Sequence, residues 1–311
     1  MKRLAAVLLI LIASPVAAQP FAVTGPVPNA TLGPPVDLAF GAYQRGYYVT
    51  ALKEAMKRID ADANDAIAMT LVGELYAQGA GVRKDAKESA RWFKLASDRG
   101  DRQATFSYAM AKLRGEGADK DVPGALALLE KAAAKDHDGA LYNLGIAAVE
   151  NNGVAPDFKK AIGYFNRSAS LGNSDAAYSL ALLYKGGQAV EQDLAKAAEW
   201  MARAANDNNL NAIVDLAILQ FNGDGLEKDE VAAAKLFLKA ANRNSPIAQN
   251  RAGRLLAAGR GVPKNMIEAM KWHLLARSAG LQDDWLDAQL ATLNQQEKQA
   301  VEEAVRKYVG R

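Results

Sequence analysis

The sequence predicts an all-α fold built from repeated pairs of helices. The stretch from Ala68 to Gly100 recurs every 36 residues without insertion or deletion. Its first alanine returns at Ala104, Ala140, Ala176, Ala212 and Ala248. In each copy, glycine residues follow one apolar segment, and a helix-capping residue precedes the next. A repeat of this length with these boundary residues is typical of stacked helix pairs.

Glycine marks the end of the first helix of each pair, because it adopts the left-handed conformation that closes a helix C-terminus. These glycines are Gly79 and Gly81, Gly115 and Gly117, Gly223 and Gly225, Gly259 and Gly261, with one of the two kept at Gly153 and at Gly187. The second helix is predicted to begin four residues after the second glycine position, at an aspartate or asparagine that can accept the free amide hydrogens of the first turn. These residues are Asp85, Asp121, Asp157, Asp193, Asp229 and Asn265.

The second helices alternate small and large residues on one face. Three residues before each bulky position stands an alanine or serine, and a second small residue follows four positions later. The bulky positions are Trp92, Leu128, Tyr164, Trp200, Leu236 and Trp272. Such a pattern allows neighbouring helices to approach and interlock, so these positions are interpreted as packing residues.

The full pattern is Ala-x-x-x-Leu-Gly-x-x-Tyr-x-x-Gly-x-Gly-Val-x-x-Asp followed by Ala-x-x-Trp-x-x-Lys-Ala-Ala. It resembles the Sel1-like repeat family, a relative of the tetratricopeptide repeats. Lys112, Ala118, Asn151 and Ala189 depart from it locally. The resemblance covers residues 66–281 and implies an α-solenoid of six repeats that serves as a scaffold or adaptor for other proteins. The family supplies no catalytic residue to carry over to this chain.

The first eighteen residues have the pattern of a secretory signal peptide. Lys2 and Arg3 precede an apolar run from Leu4 to Ala13, and Val16-Ala17-Ala18 fits cleavage after Ala18. The run is short for a membrane anchor and is followed by a proline. The chain has no cysteine, which excludes a lipid-anchored cysteine, disulfides and thiol catalysis.

We therefore expect a bacterial periplasmic protein. The alternative is a eukaryotic secreted protein, in which Asn29-Ala30-Thr31 is a glycosylation sequon. Without Lys2 and Arg3 the chain holds 36 basic and 35 acidic residues. This balance predicts neither nucleic-acid binding nor an acidic substrate, and no segment after the signal peptide is expected to span a membrane.

Segments flanking the repeats have different compositions. Residues 19–36 hold five of the ten prolines and are predicted to be an extended linker. Residues 37–65 have helical spacing broken at Gly46, as expected of a tetratricopeptide-like N-terminal capping pair. Residues 282–311 are predicted to form C-terminal capping helices. One begins at Asp283 or Asp284, and the other has capping-box spacing at Asn294 and Glu297.

Several residues invite a chemical interpretation, and each has a simpler structural one. The Gly-x-Gly pairs lack the strand and lysine of phosphate-binding loops. His137, between Asp136 and Asp138, is a weak metal candidate, and His273 is predicted to be a core or half-buried histidine. Asp283 and Asp287 share a helical face and are expected to form a solvated helix start rather than an acid–base pair. The sequence therefore predicts no catalytic residue, metal or cofactor, and no enzyme.

One face of the first helices is apolar although the packing pattern does not require it. Positions two, six and nine after each starting alanine are expected to line the concave surface of the solenoid. They are Phe106, Met110, Leu113, Tyr142, Ile146, Val149, Tyr178, Leu182, Val214, Ile218 and Phe221, here called the apolar strip. At positions two and six, the first repeat has Thr70 and Glu74, and the last repeat has Asn250 and Arg254.

Two interpretations of the apolar strip remain open. It either packs against adjacent first helices or forms a groove for a peptide. The sequence favours a periplasmic scaffold or regulator that binds a protein or peptide on this surface and modulates an envelope sensor or assembly. The alternatives are an envelope hydrolase or glycan-binding protein, and a structural spacer or self-assembling solenoid.

Overall fold

A computed structural model describes residues 37–150, 155–187 and 190–310. Within these residues the chain forms sixteen α-helices and no strand, which confirms the all-α prediction. The predicted signal peptide (1–18), the linker (19–36) and Gly153 lie outside the described residues.

The helices are short and of similar length. Before and within the first repeat they are α1 Leu38–Gln44, α2 Tyr48–Ala61, α3 Ala66–Gln78 and α4 Ala86–Asp98. The next four repeats contain α5 Arg102–Arg114, α6 Val122–Ala133, α7 Asp138–Glu150, α8 Phe158–Ser170, α9 Ser174–Gly186, α10 Leu194–Asn206, α11 Leu210–Asn222 and α12 Glu230–Ala241. The last repeat and the helices after it are α13 Pro246–Ala258, α14 Met266–Ser278, α15 Asp284–Ala291 and α16 Gln295–Val309.

The helices group into two compact units. In the first unit, which holds the described residues up to Ala104 together with Gly115–Asp119, α1 packs on α2, α2 on α3, and α3 on α4. The second unit comprises Thr105–Arg114 and the described residues from Lys120 onward. In it each helix from α6 to α14 packs against the next along the chain, and α16 packs on α14.

The predicted starts of all six second helices and the predicted ends of four first helices are confirmed. Each second helix begins at the expected residue, whose side chain accepts a hydrogen bond from a backbone N–H of the first turn; these residues are Asp85, Asp121, Asp157, Asp193, Asp229 and Asn265. Gly79, Gly187, Gly223 and Gly259 close their first helices in the left-handed conformation. The repeat thus encodes its own helix ends.

A second left-handed position lies between repeats, after each second helix. Glycine fills it at Gly100, Gly172 and Gly280, with φ of 88°, 97° and 91°. Asp136, Asn208 and Asn244 fill the equivalent positions with φ of 54°, 63° and 61°. Aspartate and asparagine tolerate this conformation better than other residues with a side chain, so the chain reverses direction in the same way at all six places.

Within a repeat, glycine in the first helix allows an aromatic ring to approach closely. Phe93 of α4 packs on Gly73 of α3, and Phe165 of α8 packs on Gly145 of α7. Both rings are buried. In the last repeat the position equivalent to Phe165 is His273, which is fully buried as predicted.

The last two helices cover the final repeat. Asn294 and Glu297 form the predicted capping box at the start of α16. Near the other end of this helix, the ring of Tyr308 packs edge-on against Trp272, with centroids 5.1 Å apart. The Tyr308 hydroxyl donates to Oδ1 of Asn244 over 2.9 Å. One face of α16 therefore docks on the last repeat, while its other face is exposed.

Candidate functional site

The apolar strip lies on the first helices α5, α7, α9 and α11, and all eleven of its residues belong to the second unit. Ten of its eleven residues are half-buried, and Val214 is buried with 6% of its surface exposed. Phe106 and Leu113 pack against one buried cluster of the unit. Tyr142, Ile146, Val149, Tyr178, Ile218 and Phe221 pack against another. The strip therefore contributes to packing, and part of each half-buried side chain is still accessible to solvent.

Three aromatic residues of the strip contact their neighbours specifically. The ring of Phe106 stacks on that of His137, which precedes α7, with centroids 4.4 Å apart. The ring of Tyr142 lies 5.9 Å from that of Phe165. The hydroxyl of Tyr178 donates to Oδ2 of Asp215 in the next repeat over 2.9 Å.

Burial and nearby acidic residues hold the two tyrosines in their neutral form. Burial raises the pKa of Tyr142, and the charge of Asp175 adds to that effect against a hydrogen bond with Ser179. Burial likewise raises the pKa of Tyr178, together with the charge of Asp215 and the hydrogen bond to it. Ser179 and Asp215 each stand 37 residues after the tyrosine they contact. These partners were not predicted from the sequence, although the equal spacing of 37 residues is visible in it.

The strip ends at a pocket of about 380 Å³ in the last two repeats. Its lining comprises Ile218, Phe221, Asn222, Phe237, Arg251, Arg254, Leu255, Ala258, Arg260 and Trp285. Two of these residues, Ile218 and Phe221, belong to the apolar strip. The pocket therefore combines an apolar wall from α11 and α13 with three arginines and a tryptophan.

Two of the three arginines are held in place by carboxylates and aromatic rings. Arg254 donates to both oxygens of Asp283, over 2.6 and 2.8 Å, and its guanidinium lies 5.5 Å from the ring centroid of Trp285. Arg260 donates to both oxygens of Glu230 and lies 4.4 Å from the ring centroid of Phe221. Arg260 and Lys228 lower the pKa of Glu230 to about 2.

The third arginine is not neutralised. Arg251 is exposed and makes no hydrogen bond or ion pair with any residue in the described part of the chain. Sequence reasoning singled out Arg254 but missed Arg251, Arg260 and the role of Trp285. Trp285 did carry a signal, because it is the one tryptophan of the chain outside the packing positions.

Comparison with known proteins identifies the family. The sequence profile of the Sel1 repeat family matches residues 66–101, 103–137, 139–173, 174–209, 210–245 and 246–281. The chain belongs to the Sel1 repeat family. No curated protein matches it.

Two solved structures are similar to this Sel1 repeat protein. A Sel1 repeat protein from Oxalobacter formigenes shares 29% identity, with a TM-score of 0.72 over 78% of this chain and 98% of that one. The protein c5321, described as a protective antigen present in uropathogenic Escherichia coli strains displaying an SLR fold, shares 22% identity, with a TM-score of 0.50 over 88% of this chain and 69% of that one. The second likeness concerns the fold alone. Together with the six repeats these similarities confirm the α-solenoid.

Membership of the Sel1 family indicates a general type of function. Sel1 repeats typically mediate protein–protein interactions, and scaffolds of this family are generally not enzymes. Among the described helices of this Sel1 repeat protein, none combines the length and the apolar character needed to cross a membrane.

The weak metal candidate of the sequence analysis has a structural role. His137 is buried, with 7% of its surface exposed, and its Nδ1 accepts a hydrogen bond from the backbone N–H of Ala140 over 3.2 Å. The imidazole thus caps α7. In the described residues no group of three or more histidine, cysteine, aspartate or glutamate side chains is placed to hold a metal ion.

The expectation that Asp283 and Asp287 form a solvated helix start is wrong for Asp283. Its side chain is only 3% exposed because Arg254 and Asn250 of α13 bind its carboxylate. Asp287, the more exposed of the two, contacts Nε2 of His273 over 2.8 Å and Arg277 over 2.9 Å. The two carboxylates are therefore engaged by different partners and do not form an acid–base pair.

Proposed function

We propose that this Sel1 repeat protein is a periplasmic scaffold or regulator that binds a protein partner along the apolar strip. One observation carries the proposal: the strip continues into the arginine-rimmed pocket, since Ile218 and Phe221 belong to both. A row of half-buried apolar side chains with a pocket at its end resembles the grooves that receive peptides. Modulation of an envelope sensor or assembly is the regulatory form of this proposal.

The tryptophans do not favour the glycan-binding alternative. Trp92 and Trp200 are half-buried and Trp272 is buried, as expected of packing residues. Of the four tryptophans, which all lie among the described residues, only Trp285 is exposed, with an exposed fraction of 41%. A single tryptophan beside arginines suits a protein interface, in which tryptophan and arginine are enriched.

The binding surface is tested by site-specific photocrosslinking in bacterial cells that carry the native envelope. The probe replaces Leu182, a half-buried strip residue of α9, and, as a control, Lys235, an exposed residue of α12. We expect a discrete adduct from position 182 only. A further variant, Ile218→Asp with the probe at 182, should weaken the adduct. Equal adducts at both positions, or an adduct unaffected by Ile218→Asp, would contradict binding along the strip.

The compartment requires a separate test. The full chain with a C-terminal tag is expressed in a Gram-negative bacterium, and the periplasmic fraction is released by osmotic shock. We expect the protein in that fraction with Gln19 as its first residue. Retention in the cytoplasm with Met1 intact would overturn the assignment of residues 1–18 as a cleaved signal peptide.

A further inference from the structure

A row of polar residues on the first helices ends in an unpaired cation. Asp215 stands 37 residues after Tyr178 of the strip and accepts a hydrogen bond from its hydroxyl. Ser179 holds the equivalent position one repeat earlier, and its hydroxyl donates to the backbone oxygen of Asp175. The next position in this row is Arg251, and the residue 37 positions earlier is Val214, which has no polar group to offer. The repeat geometry that pairs Asp215 with Tyr178 therefore leaves the Arg251 guanidinium without a partner at the pocket.

Of the three arginines that line the pocket, Arg251 alone has no carboxylate partner among the described residues. Arg254 is bound to Asp283, and Arg260 is bound to Glu230. The remaining polar side chain, Asn222, donates its amide hydrogen to Asp224 over 3.0 Å. A ligand with a single carboxylate matches the charge of Arg251, and a guanidinium–carboxylate hydrogen bond is among the stronger polar contacts in proteins.

The apolar part of the pocket is small and partly aromatic. Ile218, Phe221 and Leu255 provide apolar wall, and Trp285 leaves 41% of its surface exposed. The volume of about 380 Å³ lies near the lower end of the range for ligand pockets, roughly 300–1,000 Å³. This space suits one bulky apolar side chain with its backbone rather than an extended segment.

We propose that the pocket binds the C-terminal residue of the protein partner, with its apolar side chain against Phe221, Leu255 and Trp285 and its α-carboxylate on Arg251. A C-terminal residue carries an apolar side chain and a carboxylate on the same Cα atom, which matches the size of the pocket and its single unpaired cation. Arg254 and Arg260 hold the aromatic walls in place through cation–π contacts. This inference rests on the proposed function and specifies which part of the partner is recognised.

The test uses three synthetic peptides and the full chain at low salt. The first peptide, Gly-Ser-Gly-Ser-Phe, has a free C-terminus, and the second is its C-terminal amide. The third, acetyl-Gly-Ser-Glu-Phe-Gly-Ser amide, carries its only carboxylate internally. Binding is followed by the NMR shift of the Trp285 indole N–H, assigned with the variant Trp285→Phe. We expect the free acid to bind at least ten-fold more tightly than the amide or the internal carboxylate.

Variants identify the pocket. Arg251→Gln should weaken binding of the free acid about ten-fold and leave the fold intact, because Arg251 has no partner to lose. Arg83→Gln, at an exposed arginine of the first unit, is the matched control and should have no effect. Equal affinity for acid and amide, preference for the internal carboxylate, or no binding of the free acid would each overturn the proposal.

The two tests distinguish failure of the C-terminus proposal from failure of the proposed function. If the free acid fails to bind but the partner adduct at position 182 still forms, recognition of a C-terminus is contradicted. The strip then remains the proposed binding surface. Absence of the adduct together with absence of peptide binding would remove both.

Discussion

The ring of Phe93 packs so closely on Gly73 that a Cβ atom at residue 73 would lie 2.7 Å from Cδ1 of the ring. Gly73→Ala should therefore destabilise the first unit by about 1–2 kcal/mol, because overpacking a core outweighs the gain in helix propensity. Gly163, in the exposed interior of α8, has no atom within 4 Å of such a Cβ. Gly163→Ala should stabilise the protein by about 0.5–1 kcal/mol.

Urea unfolding of both variants measures these changes. A neutral or stabilising Gly73→Ala would show that the Phe93 ring moves aside, and would contradict the argument that glycine is required there by the ring.

The left-handed position between repeats should tolerate side chains poorly. Gly172 has φ of 97°, and a Cβ there would meet no atom within 4 Å, so the effect of Gly172→Ala is conformational alone. We expect a loss of about 1–2 kcal/mol. Gly186, at the end of α9, is equally unobstructed but is not in the left-handed region, and Gly186→Ala is the control. The expectation fails if thermal denaturation shifts equally for the two variants.

Asp283 should make the stability of the last repeat depend on pH. Burial raises the pKa of its carboxyl, but hydrogen bonds from Arg254, Asn250 and the Leu286 N–H outweigh this effect and lower the pKa to about 2. A lowered pKa stabilises the fold above the unfolded value of about 3.9, and this stabilisation disappears as the pH falls towards 2.

Asp283→Asn should therefore cost about 2 kcal/mol at pH 7 and little near pH 2. Urea unfolding followed by tryptophan fluorescence at several pH values measures the difference. Asp98→Asn, at an exposed residue of α4 paired with Lys94, should change stability by less than about 1 kcal/mol. A cost for Asp283→Asn that is the same at pH 7 and pH 2 would contradict the assignment.

Tyr178→Phe should weaken the link between two repeats. The hydroxyl donates to Asp215, and its loss removes one hydrogen bond to a carboxylate, which costs about 1–2 kcal/mol. Tyr164→Phe is the matched control in α8. The Tyr164 hydroxyl makes no hydrogen bond with any described residue, so its removal should be nearly neutral. Equal stability of the two variants, measured by urea unfolding, would show that the Tyr178–Asp215 bond contributes nothing.

Features encoded within one repeat were predictable from the sequence. Helix starts at residues such as Asp85 and helix ends at residues such as Gly79 depend on atoms three or four positions away, and a regular spacing reveals them. The burial of His273 followed because it stands on the packed second helix. The same residue types recur at the same positions in six repeats, so each repeat supports the helix boundaries predicted for the others.

Contacts between repeats were much harder to predict. Asp283 looked like an exposed helix start because its partner Arg254 lies 29 residues away, on a different helix. The pocket joins Ile218 to Trp285, which stand 67 positions apart, and pairs Arg260 with the carboxylate of Glu230 in the preceding repeat. The exposed fraction of each strip side chain decides whether the strip can bind a partner or only packs inside the protein. Helical periodicity does not predict this fraction.

Hydrogen bonds between neighbouring repeats join residues about 30 to 37 positions apart. The Tyr308 hydroxyl instead reaches back to Asn244 and to the carbonyls of Ala241 and Asn242, 64 to 67 positions earlier. During synthesis on the ribosome, each earlier repeat can acquire its neighbour contacts as soon as the next one emerges. The turn at residues 241–244, which ends the fifth repeat, can form its hydrogen bonds with Tyr308 only after residue 308 has left the exit tunnel. This turn is therefore completed later than the corresponding turns of the earlier repeats.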